Sequence, residues 1–216
     1  MEKNNLYIYL ADIKTTDGNA LMEKFGQTFE PARLERIERC TNAREKTTLI
    51  ATGVLLQAAL KRFGVSTADI DYKEHGKPFI KGKDDLFFNI SHSGNFIMIA
   101  VSGQEIGIDI QKPVPYKEAL VNKILNYEER TTHADDLVKH LNRIWAIKEA
   151  YTKLTGEGIS KEFSEITYEE NDFSLNVFDK GEPAAKGKIV YNDDLYEACV
   201  LAKEDFEVSE LDKLSL

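Results

Sequence analysis

Two hydrophobic periods run through the 216-residue chain. Residues 106–113, IGIDIQKP, alternate strictly: Ile106, Ile108 and Ile110 share one face, Gly107, Asp109 and Gln111 the other. A period of two predicts a strand with one face in a core. The second face poses a question, because glycine costs a strand entropy and packing and often marks close approach of a ligand or another backbone. Asp109 and Gln111, roughly 6.5 Å apart along one face, can converge on one small object. Residues 141–154, LNRIWAIKEAYTKL, carry the helical period, with Leu141, Ile144, Ile147, Tyr151 and Leu154 as the apolar stripe and Trp145 at its edge. Roughly opposite run Asn142, Ala146, Glu149 and Lys153.

The remaining pattern fills in around these two. LYIYLADI predicts a first strand, followed by a helical region to about Phe63; TLIATGVLLQAALKRFG (48–64) is apolar all round, the mark of a mostly buried helix, and Gly64 stops it. IDYKEHGKPFI reads as strand, turn and strand; FFNISHS and NFIMIAVS as extended segments, the second closed by a Ser102–Gly103 turn. Pro113 and Pro115 break the pattern, helical material follows from about Tyr116 to Leu154, and SEITYEE, FSLNVFD, KGKIVYN and LYEACVLA read as four strands. The expectation is an α+β protein of two similar lobes, residues 1–103 and 104–216, with IGIDIQKP at their junction.

Composition narrows the class. Hydrophobic content of 42% and charged content of 30% suit a folded core. No apolar run approaches the ~20 residues of a membrane span, and the start has no basic segment leading into a long apolar stretch, so a cytoplasmic protein without membrane association is expected. Cys40 and Cys199 lack CxxC or His neighbours and read as free thiols rather than a zinc site or disulfide framework. A net charge of −9 argues against a general nucleic-acid binder but not against a small polyanion held locally. PARLERIERCTNAREK (31–46) holds Arg33, Arg36, Arg39, Arg44 and Lys46 among three glutamates, which by itself describes a solvated mixed-charge face.

Taken alone, Glu149 and Lys153 are a surface ion pair at i, i+4. Taken with the strand, Asp109, Gln111 and Glu149 are an oxygen-donor set, which suits Mg²⁺ rather than Zn²⁺, and Lys153 lies one turn from Glu149 to face an anion. That is the apparatus of phosphoryl-type transfer. No GxxxxGK[ST] loop is present to bind a nucleotide in the P-loop manner.

GKP (76–78), FNISHSG (88–94), IGIDIQK (106–112) and WAIKEAYTKLTGEGIS (145–160) stand in the order GKP, SHS, GIDxE, WxxKExxxK. In this the chain resembles the 4′-phosphopantetheinyl transferases of the Sfp type. The resemblance spans roughly Pro31 to Ser160 and implies a fold of two α+β lobes related by pseudo-two-fold symmetry, a pseudo-dimer in one chain for which a monomer is sufficient. It implies transfer of the 4′-phosphopantetheine of coenzyme A to a serine of an apo acyl or peptidyl carrier protein, dependent on Mg²⁺ (Mn²⁺ as an alternative), with release of 3′,5′-ADP. It implies Asp109, Gln111 and Glu149 as metal ligands, Asp109, Glu149 and Lys153 as catalytic residues, and Arg36, Arg39, Lys77, Ser91, His92 and Lys153 as coenzyme A contacts. Lys148 also has a family counterpart, directed to the apolar side. Gln111 departs from the usual glutamate, which lowers the site charge by one and predicts weaker metal binding. A non-catalytic carrier-protein or coenzyme A binding module is the alternative. A serine hydrolase built on Ser91 and His92 is disfavoured, because neighbours on a strand face opposite ways and GxSxG is absent.

Overall fold

The computed structural model describes residues 2–73, 76–113, 117–132, 137–158 and 161–216. Pro115, Tyr116, Ile159 and Ser160, parts of the segments predicted above, lie outside that set. Two sheets carry the molecule. The first has the order β11(Glu207–Leu214), β1(Asn5–Asp12), β5(Phe96–Ser102), β4(Phe87–Ser93); the second has β6(Ile106–Gln111), β10(Glu197–Ala202), β9(Glu182–Asn192), β8(Ser174–Asp179), β7(Ile166–Asn171). β2(Ile70–Tyr72) and β3(Pro78–Ile80) form a separate two-stranded ribbon.

Strand alternation builds three cores in layers. The even residues of β1 and β5 (Leu6, Ile8, Leu10, Met98, Ala100) meet Ile106, Ile108 and Ile110 of β6 and Ala198, Val200 and Ala202 of β10, so the sheets pack face to face. Each fully buried isoleucine in that layer contributes about 1.5–3 kcal/mol. The odd residues of β1 and β5 pack outward against α3(Ala43–Lys61) and the short helices α1(Gly18–Phe25) and α2(Pro31–Arg39). On the far side of the second sheet, α6(Leu137–Thr155) and α4(Glu118–Ile124) cover Cys199, Leu201, Leu175 and Val177. α3 and α6 are each 19 residues long, one on the outer face of each sheet.

Local chemistry sets the ends of these helices. Asn42 caps α3 by accepting from the N–H groups of Arg44 and Glu45, and Gly64 follows its end at φ +65°, the left-handed turn expected there. Gly156, at φ +80°, terminates α6 in the same way. Between α4 and α6, α5(Tyr127–Thr132) begins at Asn126, whose side chain and backbone exchange hydrogen bonds with Glu129.

The sequence pattern missed β11. This strand, within the range assigned to the second lobe, returns to the first sheet and pairs parallel with β1, from Asn5 opposite Glu207 to Ala11 opposite Leu214. Its EVSELDKL sequence is polar and only half-buried, as suits an edge strand, and carries almost no periodic apolar signal. Among the described residues no helix is long and apolar enough to cross a membrane.

Candidate active site

The question posed by Gly107 is answered by a helix rather than by a ligand. A Cβ on Gly107 would lie 1.9 Å from Ala150 O and 2.5 Å from Leu154 N, both backbone atoms of α6. The bare strand lets α6 seat directly on β6, which carries Lys153 to Asp109, two residues along the same strand face. Lys153 Nζ donates to Asp109 Oδ1 at 2.5 Å, to Ser91 Oγ at 2.9 Å and to Ile108 O at 3.2 Å. The predicted i, i+4 pairing gives way to this contact, and Lys153 pairs with Asp109. Asp109 is 2% exposed; its other oxygen accepts from Gln111 Nε2 at 2.7 Å.

β4 and β6, the facing edges of the two sheets, are joined by side chains rather than by a backbone ladder. Asn89 Oδ1 accepts from Ile108 N at 3.0 Å, Ser91 Oγ from Ile110 N at 3.3 Å and Ser93 Oγ from Lys112 N at 3.1 Å. Odd residues of β4 thereby satisfy edge N–H groups that would otherwise be orphaned between sheets. Even residues turn the other way: Phe88 and Ile90 pack toward α3, and His92 lines a cavity there.

This cavity, about 380 Å³, lies between α2, α3, the β2–β3 ribbon, β4 and the end of α6. Arg33, Arg36, Lys77, His92, Glu149 and Lys153 all reach its wall, a basic concentration in a chain of net charge −9. Lys77 donates to Leu154 O at 2.8 Å, tying the GKP turn to the last turn of α6, and burial pushes its ammonium below the ordinary lysine value. His92 is pushed below the ordinary imidazole value, first by the surrounding protein and then by Lys153, with Asp109 opposing. Burial first, and the like charge of Asp109 second, push the Glu149 carboxyl up; Lys153 and then the Trp145 side chain pull it back.

The structure thus brings Asp109, Gln111, Glu149, Lys153, Lys77, His92 and Arg36 to one place. Two predicted contacts lie outside the cavity wall. Arg39 is at the outer end of α2, its side chain 76% exposed and paired with Glu35 at 2.5 Å, because the i, i+4 spacing puts the two on one solvent face. Arg33, one turn before Arg36, takes the place beside it in the cavity wall; it is held by Glu30 at 2.9 Å and donates to Leu49 O at 3.2 Å. The i, i+3 spacing of Arg33 and Arg36 was a signal for this pair. Ser91 is buried, with its hydroxyl engaged by protein and outside the cavity wall, since it and His92 point to opposite faces of β4. Thr48, Thr52, Asn89 and Thr152 also line the cavity and had no sequence signature.

Lys148 turns away from the site. Fully buried, it donates to Ile124 O at 2.9 Å and to Glu129 Oε2 at 2.6 Å, tying α6 to α4 and α5. Its ammonium is pushed down by burial and held up by Glu129.

Among the described residues no three His, Cys, Asp or Glu side chains group as a metal site. The donors present, two carboxylates close enough for one to raise the other and a carboxamide within reach of Asp109, nonetheless fit a hard divalent cation.

The sequence profile of the 4′-phosphopantetheinyl transferase superfamily matches residues 105–203, a span that takes in β6, α6 and β10. The chain is 32% identical over 162 residues to a 4′-phosphopantetheinyl transferase of Bacillus subtilis, covering 69% of this chain and 72% of that one. It is 28% identical over 174 residues to the 4′-phosphopantetheinyl transferase Sfp of Bacillus subtilis (strain 168), covering 74% and 76%. A third relative, the 4′-phosphopantetheinyl transferase HetI of Nostoc, is 28% identical over 167 residues, covering 71% and 70%.

Proposed function

The chain belongs to the 4′-phosphopantetheinyl transferase superfamily, and we propose that it moves the phosphopantetheine arm of coenzyme A to a serine of an apo acyl or peptidyl carrier protein at the β6–α6 junction. The observation that carries this reading is the seating of α6 on Gly107, which sets Lys153 and Glu149 beside Asp109 at the rim of a basic cavity.

Arg36, Lys77 and His92 line the part of that cavity suited to the phosphates of coenzyme A. Asp109 and Glu149, with the carboxamide oxygen of Gln111, are the groups to hold Mg²⁺ or Mn²⁺. Such a cation supplies charge neutralisation at the pyrophosphate. The carrier serine gives up its proton to Glu149 or to a water beside it as the hydroxyl oxygen attacks the β-phosphorus. The bond from that phosphorus to the bridging oxygen breaks, and 3′,5′-ADP leaves with its new charge on the side of Lys153. A fixed ammonium at a developing phosphate charge is where the largest catalytic contribution is expected. That both sheets and their junction belong to one chain supports a monomer as sufficient for the site.

The test is release of 3′,5′-ADP from coenzyme A on mixing with an apo carrier protein. The expected result is carrier-dependent release that stops on chelation. Coenzyme A binding without release on any carrier would instead support the binding-module reading, which the engagement of Asp109 by Lys153 and Gln111 favours.

A further inference from the structure

We propose that Ser91 is a positioning residue that sets Asp109 and Lys153 in register, and that it makes no contact with coenzyme A. The inference rests on reading Asp109, Glu149 and Lys153 as the transfer centre. A serine hydroxyl has one proton to donate and two lone pairs to accept with. At Ser91 all three are in use. Lys153 Nζ at 2.9 Å and Ile110 N at 3.3 Å are both donors, so the hydroxyl accepts from each and its own proton goes to Asp109 Oδ1 at 2.7 Å. At 4% exposure, and outside the cavity wall that Lys153 reaches, the side chain has no open approach for a phosphate oxygen.

The arrangement differs from that of its neighbours. Asn89 and Ser93 make the same kind of bond to the β6 backbone, to Ile108 N and Lys112 N. Of the three rungs, Ser91 is the one that also touches both the carboxylate and the ammonium. A single hydroxyl therefore fixes three things together: the edge of β6, the rotamer of Asp109 against Gln111, and the reach of Lys153 from α6. Removing it leaves Ile110 N–H without its partner and frees Asp109 and Lys153 to turn, while His92, one residue on, keeps its place on the cavity side of β4.

The test compares Ser91→Ala, the near-isosteric Ser91→Cys, Ser91→Thr, which keeps the hydroxyl, and Ser93→Ala, which removes a rung that touches no charged group of the centre. Three quantities are read on each: kcat with a carrier protein, the Kd of coenzyme A by calorimetry without metal, and Mg²⁺ affinity from the fluorescence of Trp145. That residue is the only tryptophan in the chain and lies one helical turn before Glu149 on α6. Losing the oriented partner of a ligating group is expected to lower kcat and Mg²⁺ affinity by about 10–100-fold. The coenzyme A Kd should stay within about twofold for Ser91→Ala and Ser91→Cys, with recovery in Ser91→Thr and little change in Ser93→Ala. Ser91→Cys keeps the side-chain volume, so the comparison stands even if Ser91→Ala does not fold. A tenfold rise in coenzyme A Kd with kcat unchanged would overturn the proposal and make Ser91 a phosphate contact; wild-type values for both variants would overturn it too. Failure of the underlying reading has a different signature, namely no carrier modification by the wild-type protein.

Discussion

Gly107→Ala is the substitution that bears most directly on how the site is built. The added methyl would stand 1.9 Å from Ala150 O, 2.5 Å from Leu154 N and 3.0 Å from Ala150 C, all atoms of the α6 backbone. Ordinary contact begins near 3.4 Å, so the nearest atom is about 1.5 Å too close, and no side chain can swing aside to make the room. Overpacking of a buried interface costs about 1–3 kcal/mol, and a rigid backbone neighbour puts this case at the upper end. Retreat of α6 by about 1 Å moves Lys153 and Glu149 relative to Asp109, a displacement able to cost about 10²-fold in rate. Gly187→Ala is the matched control. Its methyl would meet Leu201 Cδ2 at 2.1 Å and Val200 O at 2.9 Å, in the same sheet but away from the site. Urea unfolding and turnover per folded molecule should then separate the two: both variants lose stability, and Gly107→Ala alone loses about 10²-fold in kcat. A Gly107→Ala protein with wild-type stability and kcat would show that α6 does not depend on the bare strand at Gly107 for its seat.

Gln111→Glu adds a carboxylate to the oxygen-donor set and should bind Mg²⁺ about tenfold more tightly, read by calorimetry. Lys148→Met or Glu129→Leu alone leaves one buried charge unpaired and should cost about 3–5 kcal/mol in urea unfolding, with most of the loss recovered in the double variant. His92 should titrate below the ordinary imidazole value by NMR, and in Lys153→Met, which removes a repelling charge, the titration should move upward. Since the folded protein releases the His92 proton at lower pH than the unfolded chain, the His92 contribution to stability grows as pH rises through that window and disappears in His92→Gln.

The elements that build the site were largely legible, because the signals are periodic. Ile106, Ile108 and Ile110 announced a strand face and are buried in the inter-sheet core, and the stripe from Leu141 to Leu154 is the buried face of α6. What sequence could not supply was direction across elements. The line of Asn142, Ala146, Glu149 and Lys153 looks like a solvent face, yet Asn142 and Ala146 are buried and Lys153 turns onto β6, because a helix laid on a bare glycine is packed on two sides. Gly107 left two readings open, ligand or backbone, that only the partner in space could separate. Ser91 and Arg39 were placed by motif neighbourhood, whereas strand alternation and i, i+4 pairing decide where they point. β11 escaped because an edge strand in a mixed sheet has no need of an apolar face; Lys148 is buried on the apolar side as expected, and what the sequence did not show is its partner Glu129, 19 residues away.

Intact-mass analysis of apo carrier proteins incubated with coenzyme A and Mg²⁺ tests the central claim most directly, with wild-type protein, wild-type protein plus chelator, and Asp109→Asn run side by side. Wild-type protein should add one phosphopantetheine, chelator should abolish that gain, and a folded Asp109→Asn protein should be slower by at least about 10²-fold. Full modification by Asp109→Asn would contradict the central claim.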